Sequence, residues 1–142
     1  EWHMELSFQL NNNGSELTTL HAILVKLEKR WALSGKTFME LNLILDELVT
    51  NIIEHSGCDK ECVIDIKLIK GNSEITLIVT DDSPPFDPTL TPAPDISLPL
   101  EERGCGGLGI HLVRKFSDGC RYKRAENRNV LTLIKKLPKE HR

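Results

Sequence analysis

The stretch Glu47-Leu48-Val49-Thr50-Asn51-Ile52-Ile53-Glu54-His55 sets the reading of the whole chain. Upstream of it Leu41, Ile44 and Leu45 continue a spacing of three and four that Leu48, Ile52 and Ile53 complete. That period predicts a helix over about 37–55 with one buried stripe, stopped by His55-Ser56-Gly57. Glu47 and Asn51 are four apart and so share one face, with Glu54 and His55 a turn further on. The face lies beside the apolar stripe, where polar side chains look into a cleft bordered by whatever the helix covers. A carboxylate there can take a proton from a hydroxyl or water. A carboxamide can offer its oxygen to Mg²⁺, a hard cation that fills its shell with water and phosphate oxygens. The same spacing also describes a solvated helix face, so it points to a site without proving one.

Working outward, residues 4–10 alternate apolar and polar as a half-buried strand does. Asn11–Gly14 breaks the pattern, and Ser15 is a candidate N-cap for a helix over about 16–33. Leu17, Leu20, Ile23, Leu24, Leu27 and Trp31 form its apolar face, and Ser34-Gly35 ends it. Downstream, Cys62–Ile69 and Glu74–Thr80 are β-branched, apolar runs joined by Lys70-Gly71-Asn72-Ser73, a hairpin signal. Six of the seven prolines then fall between Pro84 and Pro99, which excludes helix and interior strand there. Residues of about 84–105 therefore read as a lid. A short helix from Gly107 to about Phe116 follows. Cys120–Ala125 and Val130–Leu137 then pair through Glu126–Asn129. The order β-α-α-β-β-lid-α-β-β predicts an α+β fold, a two-layer α/β sandwich with helices on one face of a mixed, mostly antiparallel sheet. Glu1–Met4 reads as a cloning remnant, and 5–142 as one domain.

Composition narrows the function classes. Apolar residues make up 39% and charged residues 27%, ordinary for a folded soluble domain. The net charge is −3, with no basic stripe of the kind nucleic-acid binders show. No apolar run approaches the roughly 20 residues of a membrane-spanning helix. Neither nucleic acid nor membrane is an expected partner, and a cytoplasmic location is expected. Cys58, Cys62, Cys105 and Cys120 lack paired CxxC spacing; reduced thiols are the expectation, although His55 near Cys58 and Cys62 leaves a metal site conceivable.

Two further elements carry chemistry. At Val79-Thr80-Asp81-Asp82 an apolar strand runs into acids and then prolines. An acid at a strand end can receive a hydrogen bond from a ligand lying across the sheet edge, such as the exocyclic amine of an amino-purine. It can equally be a turn. Gly104-Cys105-Gly106-Gly107-Leu108-Gly109 holds four of the nine glycines and opens a helix. Its backbone N–H groups can close on phosphate, or it can act as a hinge. The run formally fits G-x-G-x-x-G, but a proline-rich loop precedes it and a helix and hairpin follow, so the dinucleotide-binding context is missing. No Lys-Ser/Thr follows the glycines, which removes a Walker loop.

Taken together and in order, these elements resemble the GHKL ATPase superfamily, in particular the bacterial anti-sigma-factor serine/threonine kinase branch. Glu47–His55 is similar to its N box, Asp81–Pro88 to its first glycine box and Gly106–Ile110 to its second; Arg121-Tyr122 and Asn129–Leu133 resemble its closing hairpin. The likeness implies the histidine-kinase-like ATPase fold and a site for ATP and Mg²⁺. It makes Glu47 the catalytic base and Asn51 the metal ligand. Asp81 would take the adenine amine, with Ser83 and Phe86 beside the base. Arg103, Gly104, Gly106, Gly107, Leu108 and Gly109 would hold the phosphates, with His55 nearby. Ser83 and Pro85 stand where the first box usually has glycines, a departure expected to alter lid mobility more than adenine binding.

The resemblance implies transfer of the ATP γ-phosphoryl group to a serine or threonine of a small anti-anti-sigma (STAS-like) protein, together with sequestration of a sigma factor. The rival is a module in which nucleotide organises a partner-docking surface and no phosphate moves. A homodimer is a further expectation, with 4–10 and 16–33 as its interface or simply as part of the monomer core.

Overall fold

A computed structural model describes residues 4–55, 58, 61–85, 87 and 113–139, with His55 described in its backbone alone. The elements follow the order β1 (Met4–Asn11), α1 (Glu16–Arg30), α2 (Gly35–His55), β2 (Val63–Lys70), β3 (Glu74–Asp81), β4 (Gly119–Ala125) and β5 (Arg128–Lys136). The five strands form one sheet in the order β1-β2-β3-β5-β4. Every pairing among the described residues is antiparallel, so the expected mixed character is absent from this part of the sheet.

Strand alternation decides which side is covered. Leu10, Ile64, Ile66, Leu68, Ile75, Leu77, Val79, Leu131 and Leu133 point to one face and are buried. Leu20, Leu24 and Leu27 of α1 and Leu41, Ile44, Leu45, Leu48, Val49 and Ile52 of α2 join them in a single core cluster. The two-layer sandwich with helices on one face is as expected. Val49, fully buried, belongs to the α2 stripe, while Ile53 is only partly buried. Among the described residues no helix is long and apolar enough to cross a membrane.

The helix boundaries moved for local reasons. α1 stops at Arg30 rather than near 33, because Ala32 takes a positive φ of 50° and the Leu33 N–H reaches back to the Glu28 carbonyl at 3.0 Å. That six-to-one bond is the Schellman arrangement, here without glycine. Ser15 gives α1 no side-chain cap. Instead Asn13 Oδ1 accepts from the Ser15 N–H at 3.0 Å and Glu16 Oε1 from the Asn11 N–H at 3.1 Å. Ser34-Gly35 opens α2 instead of ending α1, since Ser34 Oγ accepts from the Thr37 N–H at 3.1 Å as an N-cap.

The hairpin connection is also tighter than Glu126–Asn129. Glu126 and Asn127 take φ values of 52° and 60°, and Ala125 pairs with Arg128. This is a two-residue turn of the kind whose twist matches its strands. Of the short helix expected over 107–116, residues 113–116 are described and are helical. Cys58 and Cys62 are joined as a disulfide, with their Cα atoms 6.6 Å apart, which corrects the expectation of reduced thiols at these two positions. Cys120 is free. Among the described residues no group of three His, Cys, Asp or Glu side chains could hold a metal.

Candidate functional site

Sheet register brings one end of three strands together beside the second half of α2. Asp81, the last residue of β3, lies opposite Asn129 near the start of β5, and Asn129 lies opposite Arg124 near the end of β4. All three are on the helix-covered face, in phase with Val79 and Leu131. A small cavity of about 20 Å³ opens there, lined by Leu48, Asn51, Ile52, Val79, Asp81, Tyr122, Asn129 and Leu131. Two of the expected site residues, Asn51 and Asp81, thus share one cavity although they lie 30 positions apart in the sequence.

The polar groups lining this cavity, and Ser83 beside them, are deeply placed. Asn51 and Asp81 are each 4% exposed, Asn129 3% and Ser83 0%. Asn51 follows Leu48 by three residues and Ile44 by seven, so helix geometry turns it inward with the stripe rather than beside it. Its Nδ2 is the one buried side-chain polar atom among the described residues that finds no partner. Such an atom costs about 1–3 kcal/mol, which a ligand with an acceptor would recover. Asp81 Oδ1, by contrast, is crowded. It accepts from the Ser83 N–H at 3.1 Å, from Ser83 Oγ–H, and from Asn129 Nδ2 at 3.0 Å. Asp82 is structural, its Oδ1 accepting from the Val63 N–H at 3.0 Å and tying the end of β3 to the start of β2.

Glu47 lies one helical turn before Asn51, half-buried, and does not line the cavity itself. Burial pushes its carboxyl above the ordinary range, and the neighbouring charges of Asp46 and Glu54 push in the same direction. A raised carboxyl pKa brings a general base nearer to the protons it must exchange. Chemically, the arrangement offers a carboxylate acceptor for an amine, an apolar slot, a buried amide in want of a partner and a proton acceptor one turn away. The donor and acceptor set matches an amine-bearing heterocycle with a polar tail better than an apolar ligand, and with about 20 Å³ the slot must widen to admit one.

Of the remaining expectations, the His55 side chain, Phe86, Arg103, Gly104, Gly106, Gly107, Leu108 and Gly109 lie outside the described residues, as does the greater part of the lid. Three residues of the site were not anticipated as such: Tyr122, Arg124 and Asn129. The four polar residues Glu126–Asn129 read as one turn, which hides Asn129. Once the turn is only Glu126-Asn127, the sequence Asn129-Leu131-Leu133 shows the signal: a carboxamide in the inward phase of an apolar strand.

Comparison with known proteins bears on the family and the fold. A family model described as the histidine kinase-like ATPase domain matches residues 10–135. Serine/threonine-protein kinase BtrW of Bordetella bronchiseptica is 30% identical over 110 residues, covering 77% of this chain and 76% of that protein. In solved structures, the RsbU and RsbW domains of Rv1364c from Mycobacterium tuberculosis align with 98% of this chain at a TM-score of 0.65 and 17% identity. This chain spans about a third of that longer one, 34%, and at such identity the likeness concerns the fold alone. The residues that the sequence resemblance rested on, from the N-box helix to the closing hairpin, all fall inside the matched span. The chain belongs to the histidine kinase-like ATPase family.

Proposed function

We propose that this protein is an ATP- and Mg²⁺-dependent serine/threonine protein kinase that phosphorylates a small anti-anti-sigma (STAS-like) partner and sequesters a sigma factor. The observation that carries the reading is the grouping on α2 and β3: a half-buried Glu47 with a raised pKa, one turn from a buried, unpartnered Asn51 that shares a cavity with Asp81. The serine/threonine kinase BtrW, similar over most of its length, supports the choice of reaction.

In this reading Asp81 accepts the adenine amine through Oδ2, the oxygen that Ser83 and Asn129 do not occupy. Leu48, Ile52, Val79 and Leu131 supply the apolar walls of the base slot. Asn51 faces the polyphosphate side, where its amide oxygen would enter the shell of Mg²⁺. When bound there, Mg²⁺ would neutralise charge on the phosphate oxygens. Glu47 takes the proton of the partner's hydroxyl. The hydroxyl oxygen forms its bond to the γ-phosphorus as the bond to the β–γ bridging oxygen breaks, and ADP leaves with that electron pair. Gly104, Gly106, Gly107, Leu108, Gly109 and Arg103 are assigned to the phosphates, with His55 near them and Phe86 beside the base. Residues 5–142 act as one unit with a lid at about 84–105, in a cytoplasmic setting, and a homodimer through 4–10 and 16–33 remains part of the proposal.

The test is incubation with γ-labelled ATP, Mg²⁺ and candidate STAS-like partners. Label should appear on a partner serine or threonine, and Glu47→Ala should abolish it while ATP binding persists. Transfer that survives Glu47→Ala would overturn the base assignment. Partner binding that needs ATP but yields no label would instead favour a nucleotide-dependent docking module.

A further inference from the structure

We propose that Arg124 is a positioning residue of the nucleotide site, which, together with Tyr122, fixes the orientation of the Asn129 amide and so selects which oxygen of Asp81 reads the base. The inference rests on the assignment of Asp81 to the base and extends it to residues of the closing hairpin. Arg124 Nη1 donates to Asn129 Oδ1 at 3.1 Å and to the Ser83 carbonyl at 2.7 Å, and Tyr122 Oη–H donates to the same Asn129 Oδ1 at 2.6 Å. A guanidinium has no acceptor, so whatever atom of Asn129 faces it must be the oxygen. The amide nitrogen is thereby turned to the other side. Its hydrogens face Asp81 Oδ1 and the Pro84 carbonyl, each at 3.0 Å, with Ser83 Oγ at 3.2 Å and the Ser83 carbonyl at 3.4 Å beside them.

The consequence for Asp81 follows from counting donors. Asn129 Nδ2 and the Ser83 N–H and Oγ–H all converge on Oδ1. Oδ2 takes no hydrogen bond from the described residues and is left as the reading atom. A flipped Asn129 would set its oxygen against the carboxylate and two carbonyls, a repulsion that would be relieved by displacing Asp81 or the Ser83-Pro84 turn. The same guanidinium also holds the Ser83 carbonyl, at the point where the chain departs from the sheet into the proline-rich stretch. Where the resembled family usually has glycine, Ser83 and Pro85 stand, and hydrogen bonds from Arg124 and Asn129 to the carbonyls of Ser83 and Pro84 fix the turn from outside. The rule that results is chemical. An accept-only oxygen welcomes the exocyclic amine of adenine and repels the carbonyl that hypoxanthine carries in its place.

Arg124 suits an experiment because β4 is an edge strand and the residue as a whole is exposed, so its replacement removes no core packing. The full chain, with Mg²⁺, is titrated with ribose-labelled fluorescent ADP and with the corresponding inosine diphosphate. The unaltered protein should prefer the adenine nucleotide by about 100-fold. Arg124→Met should weaken adenine binding by about tenfold and shrink the preference by about tenfold, with Arg124→Lys restoring part of it. Tyr122→Phe, which deletes one oxygen, should move both quantities the same way by a smaller factor and guards against a fold defect in the first variant. A full adenine preference in both Arg124→Met and Tyr122→Phe, while Asp81→Asn loses it, would overturn the positioning role and leave Asp81 as the reader. An unaltered protein that binds the two nucleotides equally would instead overturn the assignment of Asp81 and the inference with it.

Discussion

Lys135 makes an ion pair whose loss can be worked out from its surroundings. It lies in the inward phase of β5, and its Nζ donates to Glu40 Oε1 at 2.8 Å and to the Phe116 carbonyl at 2.9 Å. Side-chain exposure is 10% for the lysine and 12% for the glutamate, so solvent does little to screen the pair. Replacing Lys135 by Met fills much the same volume but leaves Glu40 as an unpaired carboxylate near the start of α2. It also removes the donor of a carbonyl at the end of the helical turn 113–116. Breaking such a pair from one side costs about 3–5 kcal/mol. That is a fifth or more of the stability of an ordinary domain of about 5–15 kcal/mol. With about 2–4 °C lost per kcal/mol at this size, the melting temperature should fall by roughly 6–20 °C. The converse is as informative. The double variant Glu40→Leu with Lys135→Met removes both charges and should regain most of the loss, because the pair's Coulomb gain is offset by the desolvation of its members. Urea unfolding of the four proteins of this cycle, at constant m-value, gives the coupling directly. A Lys135→Met cost under about 1 kcal/mol, or a double variant worse than the sum of the singles, would refute the reasoning.

Glu47→Gln should abolish phosphotransfer yet raise the melting temperature at neutral pH. The sign follows from its raised folded pKa: the contribution to stability is complete below the unfolded value and is lost as pH rises through the folded one, so at neutral pH the ionised side chain is a burden. For the same reason the acid limb of the pH–rate profile should lie above the usual carboxylate range, and calorimetry and initial rates would check the pair; a limb at or below that range would count against Glu47 as base. Asn51→Leu should gain about 1 kcal/mol by removing an unpartnered buried amide while abolishing Mg²⁺-dependent nucleotide binding, measured by denaturation and titration on one preparation. Asn127→Gly should be neutral or mildly stabilising in the turn, whereas Asn127→Val should cost about 1 kcal/mol or more at its φ of 60°.

Periodicity made the layers legible. The stripe of α2 and the alternation of β2 and β3 are long, regular and apolar, and those elements end within a residue or two of expectation. The errors cluster at chain reversals that lack their usual residue. A Schellman turn built on Ala32 gave no glycine to read, and Ser34-Gly35, which looks like a stop, is the start of the next helix. In the hairpin, four consecutive polar residues concealed a two-residue turn, and the other two begin β5. Those two positions mattered most, because one of them is Asn129.

Asn51, Asp81 and Asn129 share a property that a search for functional faces misses: each occupies a position that packing alone would have given to a leucine or valine. Asn51 is in the stripe of Leu48 and Ile52, Asp81 in the phase of Val79, and Asn129 in that of Leu131. Expecting polar function beside the apolar stripe therefore suits Glu47, which is half-buried, and misplaces Asn51. The distinction is physical. In the proposed reading, a base that exchanges a proton with a partner's hydroxyl needs access, whereas groups that read a flat heterocycle need a dry, shaped slot in which each hydrogen bond counts for more. Core positions provide that slot at the expense of stability. The expense is lowest where polar groups satisfy one another, as Asp81, Ser83 and Asn129 do, and it is greatest at Asn51, whose nitrogen finds no partner among the described residues. An inward polar residue in an apolar period is thus the sign to search for, and in the proposed reading the unsatisfied one among them, Asn51, faces the ligand.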